Sequence, residues 1–308
     1  MKKLVGIATG AIQNKFGDKK AIEIAHQIGA DSVDLELFWV VKRIDALIEE
    51  QPDKFVNRDE AIISYCKELK ATADANGIII GQTHARGGGF RNNEKADDSL
   101  VEIIRQDLLA THILGAPVCV VHNATSIFLG PKPDPELMHK LSYGLFSRTL
   151  PFAKEYGVKI ATETFGDAVK FEECDFFGYI DEFMKTYEEI KGIEEYKDYF
   201  TTCVDTGHSN KAMRFGNPTP ADVIRRIGSD ISVLHLNDND TLTDQHKIPM
   251  TGVIDWDDVF NALDEIGYSG IYNLELNLVH FGEDFTVETA EFAIKVLRYM
   301  LKTRYGED

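Results

Sequence analysis

The chain has 308 residues, 44% of them hydrophobic and 27% charged, which is ample material for a large core and excludes a disordered or fibrous protein. Its 51 acidic residues against 33 basic ones give a formal charge of -18, which repels a phosphate backbone and argues against a broad nucleic-acid surface. The cysteines Cys66, Cys119, Cys174 and Cys203 lack the close spacing of a redox pair or a zinc knuckle, so a reducing, cytoplasmic setting is expected.

The chain opens with Met1, Lys2 and Lys3 before an apolar run at 4–8, which imitates a secretory leader, but Gln13, Asn14 and Lys15 end it too soon. The run reads instead as a first strand. A helical pattern at 18–28 ends on Gly29, and a second β-branched run follows at 32–37. Helix 60–75 with Gly77 leads to strand 78–83. Gly87, Gly88 and Gly89 come next; leading into Phe90-Arg91-Asn92-Asn93 rather than a helix start, they are expected to form a mobile lid. Helix 99–114 with Gly115 leads to strand 118–122, and Gly157 precedes strand 158–162. Strand 201–204 is followed by Thr219-Pro220-Ala221-Asp222, a capping Thr with Pro at the first helical position. After strand 231–236, Asp255 can cap a helix opening at Trp256. Gly267, strand 271–276 and helix 287–301 complete the series. No stretch approaches the roughly 20 apolar residues of a membrane span.

Eight buried runs, each separated from the next by room for a helix, are the pattern of parallel strands between helices. They predict an α/β fold, a single (β/α)8 TIM barrel spanning 1–308 as one domain. An open nucleotide-binding sheet is disfavoured, because no G-x-G-x-x-G or lysine-bearing phosphate loop follows the first strand.

In such a barrel the chemistry sits at the C-terminal strand ends. Those ends carry His84, His122, Glu163, Asp205 with His208, His235 and Glu275, and Asp244 and His246 lie in the loop after the seventh strand. Any one of these histidines alone is explained by an ordinary hydrogen bond. Five of the chain's nine histidines gathered at equivalent places, with carboxylates beside them, point to metal ligation instead. Glu163, Asp205, His235 and Glu275, converging from four strands, are the expected ligands of one divalent ion. The mixed oxygen and nitrogen donors suit Mn, Co, Zn or Mg without choosing among them. Cys203 lies one layer below Asp205 and is expected to fill core. Arg86, Arg91 and Lys247 are the basic residues that could meet a phosphate, or simply face solvent.

Ala161-Thr162-Glu163-Thr164-Phe165, Val204-Asp205-Thr206-Gly207-His208, His235-Leu236-Asn237-Asp238, Asp244-Gln245-His246 with Gly252-Val253-Ile254-Asp255-Trp256, and Leu274-Glu275-Leu276 form an ordered set. In these the chain resembles the xylose-isomerase-like superfamily, in particular its sugar phosphate isomerase and epimerase branch, which is related to endonuclease IV. The resemblance implies one metal on Glu163, Asp205, His235 and Glu275, with substrate contacts from His208 and its surroundings, here His84, His122, Asp244 and His246. It implies a metal-dependent isomerase or epimerase of a small-molecule sugar or sugar phosphate, acting through an enediolate with Glu163 and Glu275 as paired acid and base. Met250-Thr251 stand where the family's loop usually carries a further glycine. The same residues leave open an inosose-type dehydratase or lyase, an apurinic endonuclease using the extra histidines for more metal, and a non-catalytic sugar-binding barrel. Neither a nucleic-acid nor a membrane partner is expected, and a homo-oligomer is allowed.

Overall fold

A computed structural model describes residues 3–168 and 171–306; Met1 and Lys2 of the basic opening lie outside the described residues. Eight parallel strands form one sheet curled into a barrel. They are β1 (Val5–Ala8), β2 (Ser32–Glu36), β3 (Ile79–His84), β4 (Val118–Val121), β5 (Lys159–Glu163), β6 (Phe200–Asp205), β7 (Ile231–His235) and β8 (Tyr272–Leu274). Each pairs with its neighbour in sequence, and β1 also pairs with β8, Val5 opposite Tyr272. The ring closes between β7 and β8 through a bridge of Leu236 with Leu274. There Leu236 N–H donates to Asn273 O at 2.8 Å and Glu275 N–H to Leu236 O at 3.2 Å.

The strands fall within two residues of their expected places because each is buried on both faces, so a run rich in apolar and β-branched residues marks it. The stop signals hold as well. Gly29, Gly77, Gly115, Gly157 and Gly267 all have φ between 65° and 84°, the left-handed region that ends a helix most cheaply in glycine. Thr219 Oγ1 accepts from Asp222 N–H at 3.1 Å, and Asp255 Oδ1 from Asp258 N–H at 3.1 Å, capping Pro220–Ile227 and Trp256–Glu265.

Two apolar layers result. The larger packs the outer faces of the strands against the helices. The smaller fills the barrel interior with Val118, Val120, Ala161, Cys203 and Val233. Side chains alternate along a strand, so the next inward position after Val120, Ala161, Cys203 and Val233 is His122, Glu163, Asp205 and His235. The apolar floor and the polar mouth are consecutive layers of one stack. Cys203 is core filling as expected, and burial pushes its thiol far up, holding it neutral.

The glycine segment after β3 is more firmly seated than a lid. A Cβ on Gly89 would lie 2.2 Å from Asn123 O and 2.3 Å from the Ala124 backbone, and Phe90 is buried. Gly89 allows the two loops to touch backbone to backbone. Among the described residues no helix is long and apolar enough to cross a membrane.

Candidate metal centre and active site

Four strands bring the chemistry to one point. Glu163, Asp205 and His235 are the last residues of β5, β6 and β7, and Glu275 directly follows β8. One donor atom from each of the four lies within 4.8 Å of the others. His235 Nδ1 stands 2.6 Å from Glu163 Oε1 and 3.3 Å from Glu275 Oε2. Asp205 is held by its own helix and by β7's extension: Oδ1 accepts from His208 N–H at 2.7 Å, and Oδ2 from Asn237 Nδ2 at 2.8 Å.

The remaining residues of the expected site ring these four. His122 Nε2 lies 2.8 Å and His84 Nε2 3.6 Å from Glu163 Oε2. On the opposite side, His246 Nε2 and His208 Nε2 lie 3.4 Å and 3.7 Å from Asp244 Oδ2. The tautomers follow from the partners. His84 Nδ1 faces Ala85 O at 3.1 Å, His208 Nδ1 faces Thr164 O at 3.0 Å, and His246 Nδ1 faces Glu275 O at 3.1 Å. A carbonyl only accepts, so each Nδ1 carries a hydrogen and turns Nε2 into the mouth.

Several residues that sequence reasoning passed over complete the arrangement. Asp34, fully buried on β2, places Oδ2 3.1 Å from His235 Nε2, and Gln82 Nε2 donates to the same oxygen at 2.9 Å. Asp34 thus orients the imidazole whose Nδ1 faces the carboxylates, the usual arrangement behind a ligating histidine. Glu36 stands one inward position further up β2, and Lys211, 1% exposed, sets Nζ 3.5 Å from Asp244 Oδ1. The signal that could have found Asp34 and Glu36 was two acids in a run otherwise buried on both faces. Of the candidate phosphate contacts, Arg86 is committed to Asp107, with Nε donating to Oδ1 at 2.7 Å, and Arg91 lies over the Phe128 ring at 3.9 Å.

The residues fit a divalent cation. Three carboxylates converge on one imidazole, and Glu163 Oε2 is buried without a well-directed hydrogen bond. Such crowding of like charge in a low-dielectric pocket is relieved by a positive ion. The crowding sets the protonation preferences of these groups. Burial pushes the Glu275 carboxyl up to about 7, with Glu163 adding to it against the pull of His235. Burial acts on Glu163 too, but the His235 charge and the close imidazoles of His122, His235 and His84 hold it well below the usual carboxylate range. Burial of His246 is outweighed by Asp244 and Glu275, which lift it to about 9.

A pH dependence follows. Ligands must be deprotonated to bind, and below about pH 7 the Glu275 proton competes, costing about tenfold in affinity per pH unit for each proton displaced. Manganese titrations at about pH 5.5 and about pH 7.5 should differ by about 25-fold from this one proton, tighter at the higher pH. Equal affinity at both would remove Glu275 from the binding set.

Residues 19–299 match the family described as xylose isomerase-like TIM barrel. The chain belongs to that family. Among curated relatives of this xylose isomerase-like barrel, the inosose isomerase of Bacillus subtilis is 26% identical over 218 residues, 68% of this chain and 70% of that one. Among solved structures, the IolI protein with a bound zinc atom superposes with a TM-score of 0.71 at 19% identity, covering 98% of this chain and 97% of that chain. A D-tagatose 3-epimerase-like protein gives a TM-score of 0.68 at 20% identity, covering 98% and 99%. At these identities the two structures speak for the shared fold.

Proposed function

We propose that this xylose isomerase-like barrel is a metal-dependent isomerase or epimerase of a sugar or sugar phosphate, with Glu163, Asp205, His235 and Glu275 holding one divalent ion. The observation that carries this reading is the meeting of two glutamates, shifted in opposite directions, on one imidazole at the barrel mouth. The inosose isomerase and the epimerase-like neighbour support the same reaction class. A divalent ion bound there would supply Lewis-acid polarisation of the substrate's carbonyl oxygen.

The chain's own residues then move the proton. Glu163 and Glu275 come from strands three apart around the ring, so they address the carbon beside the carbonyl from separate directions. One removes the proton and the other returns it. Opposite shifts of two neighbouring carboxyls are how a site divides the work of acid and base. His84, His122, His208, Asp244 and His246 supply hydrogen bonds to the substrate's oxygens, and Asp34 holds His235 in place. Incubating the manganese-loaded protein in deuterated water with a panel of free and phosphorylated ketoses should place deuterium at the carbon beside the carbonyl of the true substrate. No label and no product across the panel, from protein with full metal content, would dismiss the proposal.

A second reading rests on a specific observation: donor groups His84, His122 and Glu163, and Asp205, His208 and His246, flank the central four and share carboxylates with them. That set could hold further ions, as in an apurinic endonuclease. The formal charge of -18 opposes a DNA substrate. On the sugar reading, metal analysis gives about one ion per chain and abasic duplex DNA stays intact; three tight zinc ions with strand cleavage would reverse the choice.

A further inference from the structure

Glu36 closes β2 with its backbone held and its side chain free. Gln13, fully buried, accepts from Glu36 N–H at 3.0 Å and donates from Nε2 to Glu36 O at 3.2 Å. The carboxylate beyond them is half-buried, does not cap the helix that follows, and among the described residues makes no hydrogen bond or ion pair. The other acids of the mouth are engaged: Glu163 and Glu275 with His235, Asp205 with Asn237, Asp244 with His208 and His246. A glycine outside the left-handed region makes room for Glu36: a Cβ on Gly10 would stand 2.3 Å from its Oε1.

Register carries this carboxylate to the candidate centre. Glu36 pairs with His84 on β3, one inward layer above the pair of Asp34 with Gln82. Asp34 reaches His235 Nε2 at 3.1 Å, and residues two apart on a strand face the same way, so Glu36 enters the mouth beside His84. The His84 ring is stacked on that of His235, centroids 5.7 Å apart, with Nε2 3.6 Å from Glu163 Oε2. Glu36 itself belongs to none of the donor groups that could hold an ion. The cations that could draw a phosphate toward it are committed or remote. Arg86 Nε donates to Asp107 Oδ1 at 2.7 Å, Lys211 Nζ lies 3.5 Å from Asp244 Oδ1, and Lys247 stands on the loop after β7, three strands round the ring from β2. A carboxylate so placed accepts from a ligand's hydroxyl without giving up a bond of its own, and repels a phosphate.

We propose that Glu36 determines the substrate class: its carboxylate accepts a hydrogen bond from a hydroxyl of an uncharged ketose whose carbonyl lies at the four converging donors, and it turns away the phosphate esters of that ketose. The inference rests on the sugar reading above and narrows it.

The test sets free ketoses against their phosphate esters on the intact, manganese-loaded protein, reading deuterium uptake at the carbon beside the carbonyl. A free ketose should be labelled with kcat/KM at least about tenfold above that of any of its esters. Glu36→Ala should raise the KM for that ketose by about 10- to 100-fold, the usual worth of a hydrogen bond to a charged group, and lower kcat by less. Its manganese content and metal-induced thermal shift should match the wild type, which separates loss of a substrate contact from loss of the centre. Glu36→Lys should invert the preference toward the esters. Label confined to the phosphate esters would keep the sugar reading and overturn this one, as would a KM unchanged in Glu36→Ala. So would a preference for an amino-substituted ketose that Glu36→Ala abolishes, which would give the carboxylate to an ammonium group. No label in any ketose, free or phosphorylated, from protein with full metal content would bring down the sugar reading and this narrowing with it.

Discussion

Glu163→Gln and Glu275→Gln are each expected to bring turnover to background, a loss of at least about 10²- to 10⁴-fold, the usual contribution of a general base or acid. The amide keeps the shape of the carboxyl and removes its ability to take or hold the proton. The two variants should nevertheless differ. Glu163 is held ionised by three imidazoles, so its replacement also leaves His122, His84 and His235 without the anion they face. Glu275 faces fewer partners, and Glu275→Gln should disturb the mouth less. With metal content verified, either variant that can still reach the substrate from one face should exchange the carbon-bound proton with solvent while forming no product. Wild-type turnover in a fully metal-loaded variant would refute the paired-carboxylate mechanism and leave the barrel untouched.

The second large effect concerns metal affinity. His235→Ala removes the only imidazole among the four converging donors, and bound manganese should be lost on desalting. Asp34→Asn tests the residue behind it. The amide oxygen accepts more weakly than the carboxylate and brings no charge to His235 Nε2, and weakening such an orienting partner typically costs about 10- to 100-fold in affinity. Thermal shift provides a readout independent of turnover, since saturating metal at about 100 times its Kd stabilises the fold by about 2.7 kcal/mol. The expected order of metal-induced stabilisation is wild type, then Asp34→Asn, then His235→Ala with none. An Asp34→Asn protein that binds manganese as the wild type does would show that Asp34 only fills space.

The architecture was legible in the sequence because the strands are buried on both faces and end on charged residues. Glu163, Asp205 and His235 each close a run of apolar residues, and that abrupt change of character is visible without coordinates. The acids of β2 stand out as acids in a buried run, but Gln82 and the role of Asp34 were not legible, because they depend on register. A shift between Val33 and Asp34 sets Asp34 against Gln82 on the neighbouring strand, and no local pattern encodes it. The seating of Gly89 against Asn123 and Ala124 was hidden for the same reason: the partners are remote in the chain. Lys211 escaped because a lysine on a short helix reads as solvated, whereas here it lies under the loop that carries Asp244.

The closing seam of the ring has a consequence for motion. Neighbouring strands elsewhere are joined by ladders of two to five residue pairs, while β7 and β8 meet through the Leu236 bridge and its two backbone hydrogen bonds. His235 stands on one bank of that seam and Glu275 on the other. The amide hydrogens of Leu236 and Glu275 are therefore where the barrel can breathe by local opening, and their exchange with solvent reads the spacing of the two banks directly. A small widening there would part the Glu275 carboxylate from the His235 imidazole, now 3.3 Å away, without unfolding anything.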